Sequence, residues 1–281
     1  MNTSPLQSNP INTSSTANPK HTEVNNSQVN ALAENALQIT NSTEESQPIS
    51  NKELAVDKLL NNLRKYLETP NSDEKTILEN LELAAKAGAR FNGKCVNIPG
   101  AGYINGVYIT SHNITSLQNA ISKGASTPII NFLIEHSDVG NTDDYGRQAL
   151  HYAAAKGNIA SAKALLEKGV EINCRDLIGN TPLHMAAKSS NPEMIKFLVD
   201  AGANIDAQND ESITPLRFAV VAVIHNHKAL DVLDKLLKCG ANTEIVDRQN
   251  VKPEDIATRS NNPNKKQVIN LIGQYSAKFK D

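Results

Sequence analysis

Apolar and small residues recur along the second half of the chain in a pattern with a period of 33 residues. The same seven-residue phrase stands three times in this register: Gln-Ala-Leu-His-Tyr-Ala-Ala at 148–154, Thr-Pro-Leu-His-Met-Ala-Ala at 181–187 and Thr-Pro-Leu-Arg-Phe-Ala-Val at 214–220. Each phrase leads into an apolar stretch that ends in glycine, at Gly169, Gly202 and Gly240. A period of this length is typical of a solenoid, in which function lies on a stacked surface.

The second copy predicts two helices in each unit. Thr181 suits the residue that caps a first helix, and Pro182 suits the first helical position, where its missing N–H costs nothing. Apolar residues at 194, 195, 198 and 199 have the spacing of a second, amphipathic helix, and Gly202 suits its left-handed end. The polar segment at 204–209 then predicts a projecting finger. One such unit cannot bury its own apolar face, so its neighbours must cover it.

These phrases, together with Ala201-Gly202-Ala203-Asn204, resemble the ankyrin repeat. Weaker copies begin at 115–120 and at 252–257. The resemblance implies an all-α fold: an ankyrin-repeat solenoid of helix-turn-helix units with hairpin-like fingers. We expect the solenoid to cover residues 111–281, with the end copies as caps toward water. Its five units are predicted near 111–143, 144–176, 177–209, 210–247 and 248–281.

Three departures from the pattern distinguish this chain. The first clear copy has Gln148-Ala149 in place of Thr-Pro, and the third has Arg217 where the others have histidine. The third copy is also longer, with 38 residues from Gly202 to Gly240. The extra residues lie around 221–228, which predicts a longer first helix that ends in a loop at 225–227.

The N-terminal part of the chain has a different composition. Residues 1–49 are rich in Asn, Ser and Thr and contain no aromatic residue, so we expect this tail to be disordered. Residues 50–110 predict a small helical cap against the first unit. It would comprise a helix from Ser50, a second helix over 73–87 and a short hairpin within 95–110.

Charge and cysteine content limit the classes of function. A formal net charge of −2 gives no electrostatic reason to expect nucleic acid or an anionic membrane as a partner. The sequence shows neither a signal peptide nor an apolar run long enough to span a membrane. Three cysteines, at 95, 174 and 239, lack the spacing of metal ligands and fit a reducing cytoplasm. We therefore expect a cytoplasmic protein, either in the producing cell or delivered into a host cell.

The candidate chemical groups point away from catalysis. His225-Asn226-His227 lacks a third metal ligand, and the glycines at 100, 102 and 106 suit a turn better than a dinucleotide-binding loop. The acidic pair at 143–144 is expected at a solvated finger tip. In the ankyrin pattern His151 and His184 would join neighbouring turns through hydrogen bonds. We expect no catalytic site, no metal and no cofactor, and hence not an enzyme.

The resemblance implies a protein-binding module, because ankyrin proteins bind other proteins with their finger tips and first helices. We expect a monomer that binds an unidentified protein, in the finer hypothesis as an effector of an intracellular bacterium that binds a host protein. Carried over position by position, the predicted contact residues are Tyr145, Arg147, Tyr152, Leu177, Ile178, Asn180, Met185, Lys188, Ile213, Phe218 and Arg248.

Two alternatives stay open on the sequence alone. Residues 50–110 would carry an uncharacterised activity that the repeats merely target, or the chain would be a self-associating structural protein. Loss of a chemical activity on deletion of residues 1–110 would support the first alternative, and a concentration-independent monomer mass would remove the second.

Overall fold

The computed structural model describes residues 74–86, 91, 94–95, 102–104, 107–109, 114–226 and 229–278. The tail predicted over 1–49 and the helix predicted from Ser50 lie outside the described residues. The described helices are α1 (Glu74–Lys86), α2 (Ser116–Lys123), α3 (Thr127–His136), α4 (Ala149–Lys156), α5 (Ile159–Glu167), α6 (Pro182–Lys188), α7 (Pro192–Asp200), α8 (Pro215–His225), α9 (Leu230–Lys238), α10 (Pro253–Arg259) and α11 (Lys265–Lys278).

Four very short strands accompany the helices near the N-terminal end of the described chain. They are β1 (Lys94–Cys95), β2 (Gly102–Ile104), β3 (Val107–Ile109) and β4 (Ile114–Thr115). β1 pairs with β4, and β2 pairs with β3, both antiparallel. Helix α1 packs on α3, and the buried Phe91 ring meets the Phe132 ring edge-on at 5.4 Å. The division of the chain into tail, cap and solenoid units at the predicted boundaries stays a prediction.

From α2 onward the helices pack in successive pairs, α2–α3 to α10–α11. The first helices of the pairs form one row, in which α2, α4, α6, α8 and α10 each pack against the next. The three phrases at 148–154, 181–187 and 214–220 therefore lie side by side, as a solenoid requires. The prediction of an all-α ankyrin-repeat solenoid is confirmed.

The core lies between the units and follows the 33-residue period. One leucine position of the first helix is at most 1% exposed in four consecutive units, at Leu117, Leu150, Leu183 and Leu216. The alanines that follow it, such as Ala153 and Ala186, are fully buried and allow close approach of the next helix. Burial of these residues depends on the adjacent unit, since a single helix pair leaves one side of its first helix in water.

The lengthened third copy has the predicted long first helix. Helix α8 has 11 residues, whereas α6 has seven. Its added turn is anchored from two sides: Val223 is fully buried, and the Asn264 side-chain amide donates to the Val223 carbonyl at 3.1 Å. The extra residues therefore extend the packed row and contact the last helix pair.

Each of four described fingers closes on the side chain of an Asp or Asn. The side-chain oxygen accepts the backbone N–H groups of the second and fourth residues that follow, at 2.8–3.1 Å. The third residue that follows has a positive φ. The four closing residues are Asp143, Asp176, Asn209 and Asp247. The expectation of a solvated Asp143 is therefore wrong: it is 3% exposed, because its carboxylate holds the turn together.

In α2, α4, α6 and α8 the third residue of the helix joins its unit to the next finger. His184 Nδ1 accepts the Thr181 N–H at 3.1 Å, and Nε2 donates to the Ile213 carbonyl at 2.9 Å. His151 joins Gln148 to Asn180 in the same way. The predicted joining role of the two histidines is confirmed by these contacts.

Two other side chains fill the histidine position in neighbouring units. Gln118 Oε1 accepts from the Thr115 N–H at 2.8 Å, and its Nε2 donates to the Arg147 carbonyl at 2.8 Å. Arg217 instead forms an ion pair with the buried carboxylate of Asp247, at 2.9 Å. The contact between units is thus kept while the chemical group that makes it changes.

Burial of the joining histidines makes the solenoid sensitive to acid. Burial lowers the pKa of His184 from 6.5 to about 4, and it lowers the pKa of His151 as well. Between pH 6.5 and pH 4 the His184 imidazole binds a proton in the unfolded chain but stays neutral in the folded chain. The free energy of unfolding therefore falls as the pH is lowered through this range. Between pH 7 and pH 5 the titration of His184 should lower the free energy of unfolding by about 2 kcal/mol. We expect the variant His184→Gln, which has the residue that Gln118 provides at the equivalent position, to lack this decrease. Urea unfolding of both chains at the two pH values measures this; equal pH dependence would contradict it.

Position 146 requires glycine for two reasons: its backbone φ is positive, and the second finger lies close to its Cα. Its φ is 73°, and an added Cβ would lie 2.9 Å from the Leu177 backbone nitrogen. Gly124 is a matched control, with a φ of 72° and nothing within 4 Å of an added Cβ. We expect Gly124→Ala to cost about 1 kcal/mol and Gly146→Ala to cost at least about 1 kcal/mol more, measured by chemical unfolding. Equal losses would show that the two fingers do not approach closely.

Candidate functional site

Large apolar side chains are exposed at the tips of two adjacent fingers. Tyr145 is 42% exposed, Leu177 70% and Ile178 61%. The Leu177 N–H donates to the Tyr145 carbonyl at 2.8 Å, so the two tips touch. Tyr145, Leu177 and Ile178 are called the finger-tip cluster below. All three belong to the predicted contact residues, and the backbone hydrogen bond brings their two finger tips together.

The finger turn explains why these residues point outward. The closing Asp or Asn turns its side chain inward to bond the turn, which leaves the next two residues at the tip. These tip pairs are Asp144 and Tyr145, Leu177 and Ile178, Asp210 and Glu211, and Arg248 and Gln249. The spacing of Asp or Asn three residues before Gly, Ser or Asn is visible in the sequence, and it is the signal that would have defined the tips directly.

Charged residues border the finger-tip cluster on the side of the third and fourth fingers. The Arg175 guanidinium meets the Asp210 carboxylate at 2.9 Å, with both side chains about half exposed. The predicted contact residue Arg248 is exposed at the fourth tip, and its N–H donates to the Glu211 carbonyl at 3.2 Å. An apolar centre with a charged border is the usual composition of a protein interface.

Two predicted contact residues lie beneath the first finger instead of on its surface. Arg147 is 7% exposed and Tyr152 is 2% exposed. The Arg147 Nε and the Tyr152 hydroxyl both donate to Asp143 Oδ2 at 2.7 Å. The guanidinium also lies 4.8 Å from the centre of the Tyr145 ring and 5.1 Å from that of the Tyr152 ring. The prediction that Arg147 and Tyr152 contact a partner is wrong; they support Tyr145 from below.

Asn180 and Met185 are also buried, with exposures of 3% and 7%. The Asn180 amide donates to Asp176 Oδ2 at 3.1 Å and accepts the Asn209 amide at 2.9 Å, which links the second and third fingers. Met185 packs within the apolar core of the first-helix row. Their predicted contact role is likewise wrong, because the neighbouring unit covers the positions they occupy.

The remaining predicted contact residues, Lys188, Ile213 and Phe218, are half-buried. The Phe218 ring meets the His184 ring edge-on at 5.6 Å, so part of Phe218 stabilises the joining histidine. Each of the three retains some exposed surface. They stay candidate contact residues, at the side of the finger-tip cluster toward the first-helix row.

The buried titratable groups near the fingers are occupied by structural contacts. Cys174 Sγ lies 3.8 Å from His151 Nδ1, and burial raises the pKa of the thiol to about 12. Burial also raises the pKa of the Tyr152 hydroxyl, which keeps its proton for Asp143. In the part of the chain that the structure describes, no three His, Cys, Asp or Glu side chains are grouped so that they could hold a metal ion. The arrangement is suited to binding through surface contact.

Within the described ranges, the helices are too short or too polar to cross a lipid bilayer. A comparison with curated proteins finds no match to the chain. The family model for ankyrin repeats (many copies) matches at three overlapping positions, residues 117–166, 150–199 and 185–237. These matches cover the helix pairs whose phrases, fingers and joining histidines are described above. Ankyrin repeats are typically non-enzymatic modules that mediate protein–protein interaction. The chain is therefore an ankyrin-repeat protein.

Proposed function

We propose that the chain is a monomeric interaction module that binds a protein partner through the finger-tip cluster. The observation that carries the proposal is the exposure of Leu177 and Ile178, at 70% and 61%, on adjacent positions of one finger. Binding to an apolar surface of a partner would remove these two large aliphatic side chains from water, which favours association. Lys188, Ile213, Phe218 and Arg248 flank the cluster and would form the border of the contact.

The rigidity of the fingers supports this proposal. The turn of the second finger is closed by Asp176, which accepts the Asn180 N–H at 2.8 Å, and its tip is bonded on both sides. The Leu177 N–H donates to Tyr145, and the Ile178 carbonyl accepts from the Asp210 N–H at 3.1 Å. A surface that is ordered before binding loses little conformational entropy when the partner arrives, which favours affinity.

The finer part of the proposal concerns where the partner is found. We infer that it is a protein of a host cell into whose cytoplasm an intracellular bacterium delivers this chain. Lysine outnumbers arginine by 21 to 7, and asparagine is abundant, which is typical of the AT-rich coding of many such bacteria. The rest of the argument is analogy with ankyrin proteins of that kind.

Cell fractionation tests this location. Tagged chain is expected in the host cytoplasmic fraction during infection by the organism that encodes it. Chain found only in the bacterial fraction would contradict delivery, while leaving the finger-tip proposal intact.

The double variant Leu177→Ser, Ile178→Ser tests the finger-tip surface. Each buried aliphatic side chain contributes about 1.5–3 kcal/mol, so we expect recovery of the partner to fall at least about tenfold. Quantitative mass spectrometry after affinity capture compares the variant with the unchanged chain. Both positions are exposed, so the melting temperature should be nearly unchanged.

Ile159→Ser is the matched control, because Ile159 is 37% exposed but begins helix α5, away from the finger tips. We expect it to recover the same partner as the unchanged chain. Equal recovery by all three proteins would show that the finger-tip cluster is not the binding surface. A concentration-dependent mass of the unchanged chain would contradict the monomer.

A further inference from the structure

Three neighbouring first helices each present one side chain to solvent, and it is lysine each time. In α2, α4 and α6 every residue except the last is buried. The last residues are Lys123, which is exposed, and Lys156 and Lys188, which are half-buried. Because α2 packs on α4 and α4 packs on α6, the three lysines form one row across the first helices. They are called the lysine row below.

The row continues as an apolar surface on the next helix. Lys123 and Lys156 occupy the same repeat position, and Lys188 stands one position earlier in its unit. In α8 these two positions hold Val221 and Ala222, which are both half-buried. At these repeat positions the four adjacent helices thus present three cations followed by two aliphatic groups.

The lysine row lacks the ion pairs that three lysines of the second helices form. Lys163, Lys196 and Lys238 each pair with an acid four residues away on the same helix. Among the described residues, none of the three lysines of the row forms an ion pair. The sequences of α2, α4, α6 and α8 contain no Asp or Glu.

The surroundings of Lys156 and Lys188 disfavour their positive charges. Burial lowers the pKa of Lys156, and the charge of Lys123 lowers it further. Burial likewise lowers the pKa of Lys188, with a second contribution from Arg147. The helix C-terminus offers each ammonium only a partial negative charge. A carboxylate brought to the row would stabilise all three cations.

We propose that the lysine row binds an extended acidic segment of the protein partner. The segment carries carboxylates at every third residue, followed by an apolar side chain that contacts Val221 and Phe218. This inference rests on the proposed function, because it names the chemistry of a part of that partner. Arg147, whose charge acts on Lys188, lies with its guanidinium 4.8 Å from the centre of the Tyr145 ring.

The spacing follows from helix packing. Packed helices lie about 8–10 Å apart. A segment in the extended polyproline II conformation advances about 3.1 Å per residue with three residues per turn, so every third side chain lies on the same side. A segment that crosses the helices therefore passes one lysine for about every three residues. An α-helix of the partner advances less per residue than an extended segment. Acids three or four residues apart on such a helix would therefore lie closer together than the lysines of the row.

A protein segment fits the whole row better than a nucleic acid does. The chain has a formal net charge of −2, and helix α10, next after α8, presents the half-buried Glu254 and Asp255. A uniform phosphate backbone would meet these acids and the aliphatic groups of α8. A peptide can change from acidic to apolar along its length.

Fluorescence anisotropy with a labelled synthetic peptide tests the proposal on the full chain. The peptide has glutamate at every third position and leucine at the next such position. We expect the triple variant Lys123→Gln, Lys156→Gln, Lys188→Gln to bind it about tenfold more weakly, and the affinity of the unchanged chain to fall with added salt.

The matched control is Lys163→Gln, Lys196→Gln, Lys238→Gln, which changes the net charge equally on the second helices. It should lose less than about twofold in affinity, since its lysines lie outside the row. The conservative triple variant with arginine at 123, 156 and 188 should retain binding. A peptide of the same composition with adjacent glutamates should bind several-fold more weakly than the spaced peptide.

Several outcomes would overturn the inference. These are equal binding by the glutamine variant of the row and the unchanged chain, an equal loss in the control variant, or no binding of the spaced peptide. A single-stranded oligonucleotide that displaces the peptide with greater affinity would assign the row to nucleic acid. A dimer that reverts to monomer in the glutamine variant would assign it to a second copy. Loss of partner capture in the Leu177, Ile178 variant would still support the proposed function in each case.

Discussion

The structure depends on mutual burial between successive helix pairs. Leu150 and Leu183 are at most 1% exposed only because the next pair covers the side of the helix that its own partner leaves open. Burial of such side chains contributes about 1.5–3 kcal/mol each, and the contribution is shared across the boundary between units. The small alanines beside them bring the first helices close together. Few side chains of the first helices therefore reach water. In α2, α4 and α6 these are the residues of the lysine row.

Hydrogen bonds supply the register that apolar burial alone does not fix. Gln118, His151 and His184 each bond their own helix start and the end of the next finger, as His184 does between Thr181 and Ile213. The closing Asp or Asn then fixes the finger itself. The exposed tips are therefore held by the same contacts that align the units. Neighbouring finger positions therefore differ in role: a side chain that turns inward supports the scaffold, and one that turns outward forms the exposed tip.

The buried polar groups show how one position can keep its role with different chemistry. Gln118, His151 and His184 all accept from a helix start and donate to a carbonyl in the next finger. Arg217 replaces this pattern with an ion pair to Asp247, whose carboxylate also closes the fourth finger. The exchange is tolerated because the contact spans the same gap and leaves no buried charge unpaired. The histidines bring an acid-sensitive element to this position, because burial lowers the pKa of both.

The sequence by itself determined the repeat, the helix pairs, the lengthened α8 and the joining role of the histidines. The first three follow from local spacing and from a period that fixes which segments become neighbours, and the resemblance to the ankyrin repeat implied the role of the histidines. It also predicted the exposed tips at Tyr145, Leu177 and Ile178. Tertiary structure decided which other contact candidates are buried. Arg147, Tyr152, Asn180 and Met185 have sequence positions typical of a surface, yet an adjacent finger or helix covers them. The lysine row likewise emerged only when three separate helix ends were brought side by side, since exposure depends on what the neighbouring unit covers and not on the residue alone.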